Sequence, residues 1–334
     1  LESMKTLICP VAANPLAFAY WIENLKTYLH IFDKVVVVVN GLYPREWERI
    51  YVSLLPDDDR KISLAFSHGI MQHGSALEIG VGFSLDDDDV IMFTDDDCFV
   101  KEPEGMAEVL RSIESNQYGI AGVHSNGYSQ GILDKHEELH WNRLPGVWPI
   151  LFCAKRRLLK NRNLGGQGWE PGTMIKALGC SFDTHQASDT LQEASLNMIA
   201  EGEKVNYFLD PKIHECTLNE HGTEWPRWAF HTGSSGQVMN VCIVDPDTFV
   251  PMGHDPSEPA NDPRGGHHWD LLMKDQITKH LALWDTWVET VGHLLPDDFM
   301  DQFNAGAEFY RNHLNPDKEQ IKAFKAAINA AVKL

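Results

Sequence analysis

Three consecutive carboxylates, Asp95, Asp96 and Asp97, follow the run Val90-Ile91-Met92-Phe93-Thr94. An apolar, β-branched run of that length reads as a buried strand, and a buried strand cannot hold unpaired negative charge. The aspartates therefore belong at its exposed C-terminal lip, where they need a cation. Side-chain oxygens suit a hard divalent ion, Mg2+ or Mn2+. Asp95 and Asp97, two apart, project to the same side of an extended chain and can reach one ion. Asp96 is then the outward-facing member. An acidic turn closing a strand is the plainer alternative. His231 is a candidate histidine ligand, because Trp228-Ala229-Phe230-His231 reads as an apolar strand opening into a polar loop.

Two further segments carry unusual chemistry. Asn163 to Gly172 places four glycines in the eight residues 165 to 172, around Trp169. Such a loop permits close backbone approach, and the indole offers a flat face for a sugar or base. A plain surface loop competes with that reading. Arg143, Lys155, Arg156, Arg157, Lys160 and Arg162 gather 6 of the 28 basic residues within 20 positions. They form a local patch for an anion, or a solvated helix face.

The elements that must position these residues alternate in type. A first strand runs from Lys5 through Pro10, Val11 and Ala13 into its exit loop, and Phe18, Trp21, Ile22, Leu25 and Leu29 follow at helical spacing. The run Val35 to Val39, closed by Asn40-Gly41, has the all-apolar character of a strand buried on both faces. A helix is expected around Pro44 to Leu54, a strand over Lys61 to Phe66, and a helix over Ser75 to Leu85. Strands alternating with helices predict a doubly wound α/β domain, whose ligands bind beyond the strand C-termini. Helix openings such as Gly74-Ser75-Ala76 can present backbone N–H groups.

With these motifs in place, Lys5 to His231 resembles the GT-A fold of nucleotide-sugar-dependent glycosyltransferases, in the family 2 type of pattern. Asp95-Asp96-Asp97 is similar to that family's Asp-x-Asp motif. Gly179-Cys180-Ser181-Phe182, then Ser188-Asp189-Thr190-Leu191 and Gly202, resembles its acceptor-side pattern. Tyr207 to His214 resembles the strand ending in a metal-proximal histidine. The resemblance implies a GT-A type mixed sheet, a Mn2+ or Mg2+ cofactor and a nucleotide diphosphate-sugar donor, most simply a UDP-sugar. It places the nucleotide over Pro10, Val11, Ala13, Asn40, Gly74 and Ser75, with Asp95 and Asp96 alongside. Asp97 is the direct metal ligand it implies, with Asp95 acting through water or the ribose. Of the two histidines, His214, 25 residues beyond Asp189, fits the family spacing slightly better than His231.

In inverting members, a carboxylate at the position of Asp189 removes the acceptor proton. The family usually has Glu before that Asp, whereas this chain has Ser188. Capping of a helix through Leu191 to Ala200 is the competing role for Ser188 or Asp189. Some glycosyltransferases carry a glycine-tryptophan segment with an acidic residue, which makes Glu170 the alternative base.

Composition bounds the rest. The 334 residues suffice for one large α/β domain over 4–245, a loop rich in Pro, Asp and Gly over 246–270, and a helical region over 271–334. In that region Trp284, Trp287, Val288 and Val291 form an apolar stripe, continued in later helices by Phe309, Leu314, Ile321, Phe324 and Ile328. Six scattered cysteines without a Cys-x-x-Cys pair suggest a reduced, cytoplasmic setting, host cytoplasm if the source is viral. No membrane-spanning stretch or signal peptide is evident, and the oligomeric state stays open. A net charge of −20 disfavours a broad polyanion-binding surface. Even so, the soluble, anchor-free pattern resembles viral enzymes that glycosylate 5-hydroxymethylpyrimidines in DNA, with the 143–162 cations and Trp169 holding the acceptor. A glycan or glycolipid acceptor competes with it. The alternative class is a nucleotidyltransferase or a non-catalytic nucleotide-sugar binder.

Overall fold

Five consecutive valines can be buried only where both faces of a strand are covered, and that requirement organises the sheet. The structure is a computed structural model describing residues 3–12, 14–41, 47–56, 60–69, 71–124, 132–133, 139–140, 146–165, 168–169, 174–175, 180–182, 186–187, 190–207, 216–218, 224–232, 274–314 and 318–332. Strand β1 (Lys5–Ala12) leads into α1 (Pro15–Tyr28), β2 (Lys34–Asn40), α2 (Glu48–Ser53), β3 (Ile62–Ser67) and α3 (His73–Gly82). Then come β4 (Val90–Thr94), β5 (Cys98–Val100), α4 (Pro103–Glu114) and β6 (Ile120–His124).

Short pieces follow: β7 (Ile132–Leu133), β8 (Leu139–His140), the long β9 (Val147–Lys155), α5 (Arg156–Leu159), β10 (Gly168–Trp169), β11 (Met174–Ile175), β12 (Cys180–Phe182) and β13 (Gln186–Ala187). Helix α6 (Gln192–Ala200) precedes β14 (Val205–Asn206), β15 (Cys216–Leu218), β16 (Glu224–Pro226) and β17 (Ala229–His231). Three helices close the chain: α7 (Lys274–Val291), α8 (Asp297–Leu314) and α9 (Lys318–Ala331).

The seven-stranded sheet has the order β14-β6-β9-β4-β1-β2-β3. Strands β3, β2, β1 and β4 are parallel, while β9 runs antiparallel between β4 and β6. This is a doubly wound mixed sheet with a C-terminal helical extension. The chain steps outward from β1 to β3 and then returns to β4 on the other side of β1. Such a reversal opens a crevice at the strand C-termini, and Asp95 to Asp97 follow β4 into it.

Alternation along the central strands divides the core. Leu7, Cys9, Val11, Val35, Val37 and Val39 face α1, α4 and the C-terminal helices. Ile8, Val36, Val38, Ile91 and Phe93 face α3, α5 and α6. Helix α1 is buried nearly all round because α7 covers its outer side, with Tyr20 and Trp287 ring centroids 6.3 Å apart. Trp47 similarly meets Phe299 of α8 at 5.1 Å. The C-terminal stripe is thus core of the same body. No helix among the described residues is long and apolar enough to cross a membrane.

The helices start earlier than periodicity suggests, α1 at Pro15 and α3 at His73. For α1 the cause is its cap, since Asn14 Oδ1 accepts from the Leu16 and Ala17 N–H groups. The 246–270 loop lies outside the described residues.

Candidate functional site

The three aspartates diverge. Asp97 lies directly before β5, whose antiparallel partner is β17, with Cys98 opposite His231. That ladder brings His231 Nε2 to 3.1 Å from Asp97 Oδ2, and the two side chains are only 7% and 5% exposed. The Thr232 N–H also donates to the Asp97 carbonyl at 3.0 Å, fixing the backbone at the same point. Strand β5 is itself held from below, where the buried Asn24 amide of α1 donates to the Val100 carbonyl (2.9 Å) and accepts from its N–H (2.8 Å). On the far side, Trp228 occupies the space over Gly105, where a Cβ would lie 2.3 Å from the indole. Asp97 and His231 are therefore placed by backbone ladders and core packing.

Asp96 faces inward, contrary to the outward orientation expected. It is buried, and its charge raises the Cys9 thiol and the Tyr51 hydroxyl above their ordinary values, after burial, the larger cause for each. The reason is the tight turn between β4 and β5, which breaks strict alternation and aims the middle residue at α2. Burial, and then Asp97, likewise push up Cys98.

Asp95 turns towards α3. Its Oδ1 is 3.0 Å from His73 Nε2, with the side chains 18% and 33% exposed. That oxygen is buried yet accepts no hydrogen bond. Sequence reasoning missed His73. The available signal was a histidine opening the helix after β3, at the sheet edge where ligands bind.

The donor-side positions separate into kinds. Ile8 pairs with Phe93, so Pro10 and Asp95 each lie two residues further on, at the same edge. Val11 is a core side chain, able to meet a ligand only through its backbone. Asn40 lies opposite Ala12, but its amide is engaged: Nδ2 donates to the Met71 carbonyl and Oδ1 accepts from the Met71 N–H, each at 2.8 Å. It clamps the β3–α3 connection. Gly74 is no open anion cradle, because an added Cβ would fall 2.3 Å from the Gly165 backbone. The Ser75 N–H bonds to the Gln72 carbonyl at 3.0 Å.

Ala13, Glu170, Asp189 and His214 lie outside the described residues, as does Arg143. The segments beside the two candidate bases, Gly168–Trp169 and Gln186–Ala187, pair antiparallel. The capping alternative for Ser188 or Asp189 likewise falls outside the described residues; α6 itself opens from Leu191, at φ 64°, whose side chain makes no cap.

The basic cluster sits elsewhere. Strand β9 is antiparallel, so Lys155 pairs with Val90 while Leu151 pairs with Thr94. Lys155 and the residues after it therefore lie at the opposite edge from the aspartates, about 13 Å along β4. There Lys155 meets Asp88 at 3.6 Å, Arg156 meets Asp87 at 2.8 Å, and Lys160 also binds Asp87. Asp87 is held below the usual carboxylate range, first by the Lys160 hydrogen bond. Arg162 pairs with Glu201. Lys155 and Arg156 thus do not hold a diphosphate at the aspartate edge.

A hard divalent cation fits the donor set. Asp97 is a nearly buried carboxylate beside an imidazole, and Asp95 offers a buried oxygen without a hydrogen-bond donor. Among the described residues no three His, Cys, Asp or Glu converge on one point. An ion there would draw only one or two carboxylates from these residues, the rest of its coordination coming from substrate or water.

No protein-family model matches the chain, and no curated protein matches it in sequence. Several solved structures are similar to it at low identity. A mannosyltransferase from Pyrobaculum calidifontis, in complex with GDP-Man and Mn2+, is 15% identical, the match covering 100% of this chain and 77% of that one with a TM-score of 0.39. A 4-diphosphocytidyl-2C-methyl-D-erythritol synthase from Anaerococcus prevotii is 13% identical over 61% of this chain and 86% of that one, with a TM-score of 0.37. TarS from S. aureus, in complex with UDP, is 16% identical over 48% of this chain and 49% of that one, at 0.32.

Proposed function

We propose that this protein is a divalent-metal-dependent glycosyltransferase that moves a sugar from a nucleotide diphosphate-sugar to an acceptor hydroxyl with inversion. The observation that carries the reading is the nearly buried Asp97–His231 pair, at the lip of β4 beside the switch point of a doubly wound sheet. Asp97 and His231 are the residues that would hold the cation, with Asp95 reaching it through water or the ribose. When bound, the cation neutralises charge growing on the departing nucleotide diphosphate. Asp97 and His231, fixed by the β5–β17 ladder, orient that leaving group at the β1–β4 crevice. Asp189 is the proposed base taking the acceptor proton, with Glu170 as the alternative. Trp169 is the proposed stacking face for the sugar.

The proposed acceptor is a neutral glycan or glycolipid hydroxyl. A hydroxymethylated DNA acceptor had its support in the 143–162 cations, and their described members largely face Asp87, Asp88 and Glu201 at the other sheet edge. With the net charge at −20, a polyanion would meet long-range repulsion. The nucleotidyltransferase alternative wants phosphate-binding N–H groups after β1. Here Asn14 takes the Leu16 and Ala17 N–H groups, and Pro15 has none to give.

A panel of UDP- and GDP-sugars with Mn2+, each with glycan, glycolipid and hydroxymethylated-DNA acceptors, tests the reading. Release of nucleotide diphosphate with a matching mass gain on an acceptor supports it. Pyrophosphate release from nucleoside triphosphate and sugar phosphate would transfer the chain to the nucleotidyltransferases. A mass gain on the DNA alone would reverse the acceptor assignment.

A further inference from the structure

We propose that the outer edge of β3 is a self-association surface, on which a second copy of this chain docks its own β3 antiparallel about a two-fold axis. The proposal is independent of the transferase reading.

Strand β3 ends the seven-stranded sheet beside β2, and no described strand pairs with its outer edge. In an extended chain a residue's own N–H and C=O point to one side, and those of its neighbours to the other. The Val35 N–H donates to the Lys61 carbonyl at 2.9 Å, so Lys61, Ser63, Ala65 and Ser67 bond inwards to β2. Ile62, Leu64 and Phe66 therefore direct their N–H and C=O groups outwards, where no described residue bonds to them. Sheet edges are usually blunted by charge, proline or a bulge. The strand Ile62-Ser63-Leu64-Ala65-Phe66-Ser67 carries neither charge nor proline, and all but Ile62 are part-exposed. Alongside, Tyr51 of α2 meets Phe66 at 6.1 Å, and the next residue, Val52, is 56% exposed.

A second copy is the occupant because this edge complements itself. An antiparallel pairing centred on Leu64 sets Ile62 opposite Phe66 and Leu64 opposite Leu64, so every outward group meets another. That makes about six hydrogen bonds between the copies, two for each such pair. Two residues further out, Arg60 comes opposite the second copy's His68. His68 Nε2 lies 3.1 Å from Glu48 Oε1, a side chain that is 42% exposed. Arg60 is exposed and forms no ion pair with a described residue. The two-fold axis repeats this match of Arg60 with Glu48 at both ends of the ladder. It also turns the sheets head to tail, so the two aspartate edges open in opposite directions and neither copy blocks the other.

Sedimentation velocity across roughly 1 µM to 1 mM, the range suited to small interfaces, reads the stoichiometry. Salt at about 0.15 M screens the repulsion between copies, each of net charge −20. Residue-resolved hydrogen exchange reads the contact. A concentration-dependent dimer is expected, in which the Ile62, Leu64 and Phe66 amides exchange roughly tenfold or more slowly than in the dilute monomer. Arg60→Glu, outside the strand, should raise the dimer dissociation constant roughly tenfold, and adding Glu48→Arg should restore it. A chain that stays monomeric throughout overturns the proposal, as does a dimer whose three amides remain unprotected. Protection that does not change on dilution would assign the edge to another segment of the same chain, and would also overturn it. An Arg60→Glu variant that dimerises like wild type would overturn the pairing centred on Leu64.

Discussion

A carboxylate buried to the extent of Asp97 is stable only beside a positive partner, and His231 Nε2 at 3.1 Å supplies a conditional one. Replacing Asp97 with alanine should abolish Mn2+-dependent nucleotide binding while leaving the fold in place. Calorimetric titration with UDP and Mn2+ alongside circular dichroism checks it, and wild-type binding in the presence of EDTA would refute the metal role. The proposed base is tested at the same scale. Asp189→Asn should keep donor binding and lower kcat by roughly 100-fold or more. Full transfer by Asp189→Asn beside an inactive Glu170→Gln would move the base to Glu170. Histidine spacing along the chain favours His214, which lies outside the described residues; among the described residues the histidine at Asp97 is His231, delivered by the register of β17 on β5. Sequence spacing cannot express a partner chosen by strand pairing across more than a hundred residues.

At the scale of elements, the site depends on two hidden supports. Asn24 of α1 bonds both backbone groups of Val100, so Asn24→Ala would leave a buried N–H and a buried carbonyl without partners. The expected cost is about 2–4 kcal/mol, read by urea unfolding, together with weaker Mn2+ binding as β5 loosens. An Asn24→Ala variant with wild-type stability would show that β5 is held by other contacts. Gly74 supports the other side. A methyl group there meets backbone at 2.3 Å, which no rotamer change relieves. Gly74→Ala should cost about 1–3 kcal/mol and weaken donor binding, because α3 carries His73. The apolar periods of β1, β2 and β4 are legible in sequence, since a strand covered on both faces must be apolar at every position. The antiparallel insertion of β9 is not, because an apolar run has no direction.

Over the whole molecule, the C-terminal helices act as part of the core. Trp287 is buried against Tyr20 of α1, and Trp284 stacks on Phe303 of α8. Trp287→Ala should therefore lower the stability of the entire fold by about 3–5 kcal/mol. One cooperative unfolding transition, followed by near- and far-ultraviolet circular dichroism, should shift as a unit. Two separate transitions would show that the helices form an independent body. The same long-range view relocates the basic cluster: six cations look like a ligand patch in sequence, but β9 carries the later ones to the edge opposite the aspartates.

What the sequence by itself determined is local and periodic. The alternation of strands and helices, the position of Asp95 to Asp97 at a strand end, and the apolar stripe through Trp284 and Trp287 all follow from side-chain spacing and the cost of burying charge. Only the tertiary structure decided how those pieces face one another. It turned Asp96 inward towards Tyr51, brought His231 to Asp97 and His73 to Asp95, spent the Asn40 amide on Met71, and paired Lys155 and Arg156 with Asp88 and Asp87. The physical reason is common to all of these. Each partner is selected by strand register, strand direction or backbone approach between distant segments, and none of those quantities is carried by the order of residues within a single element.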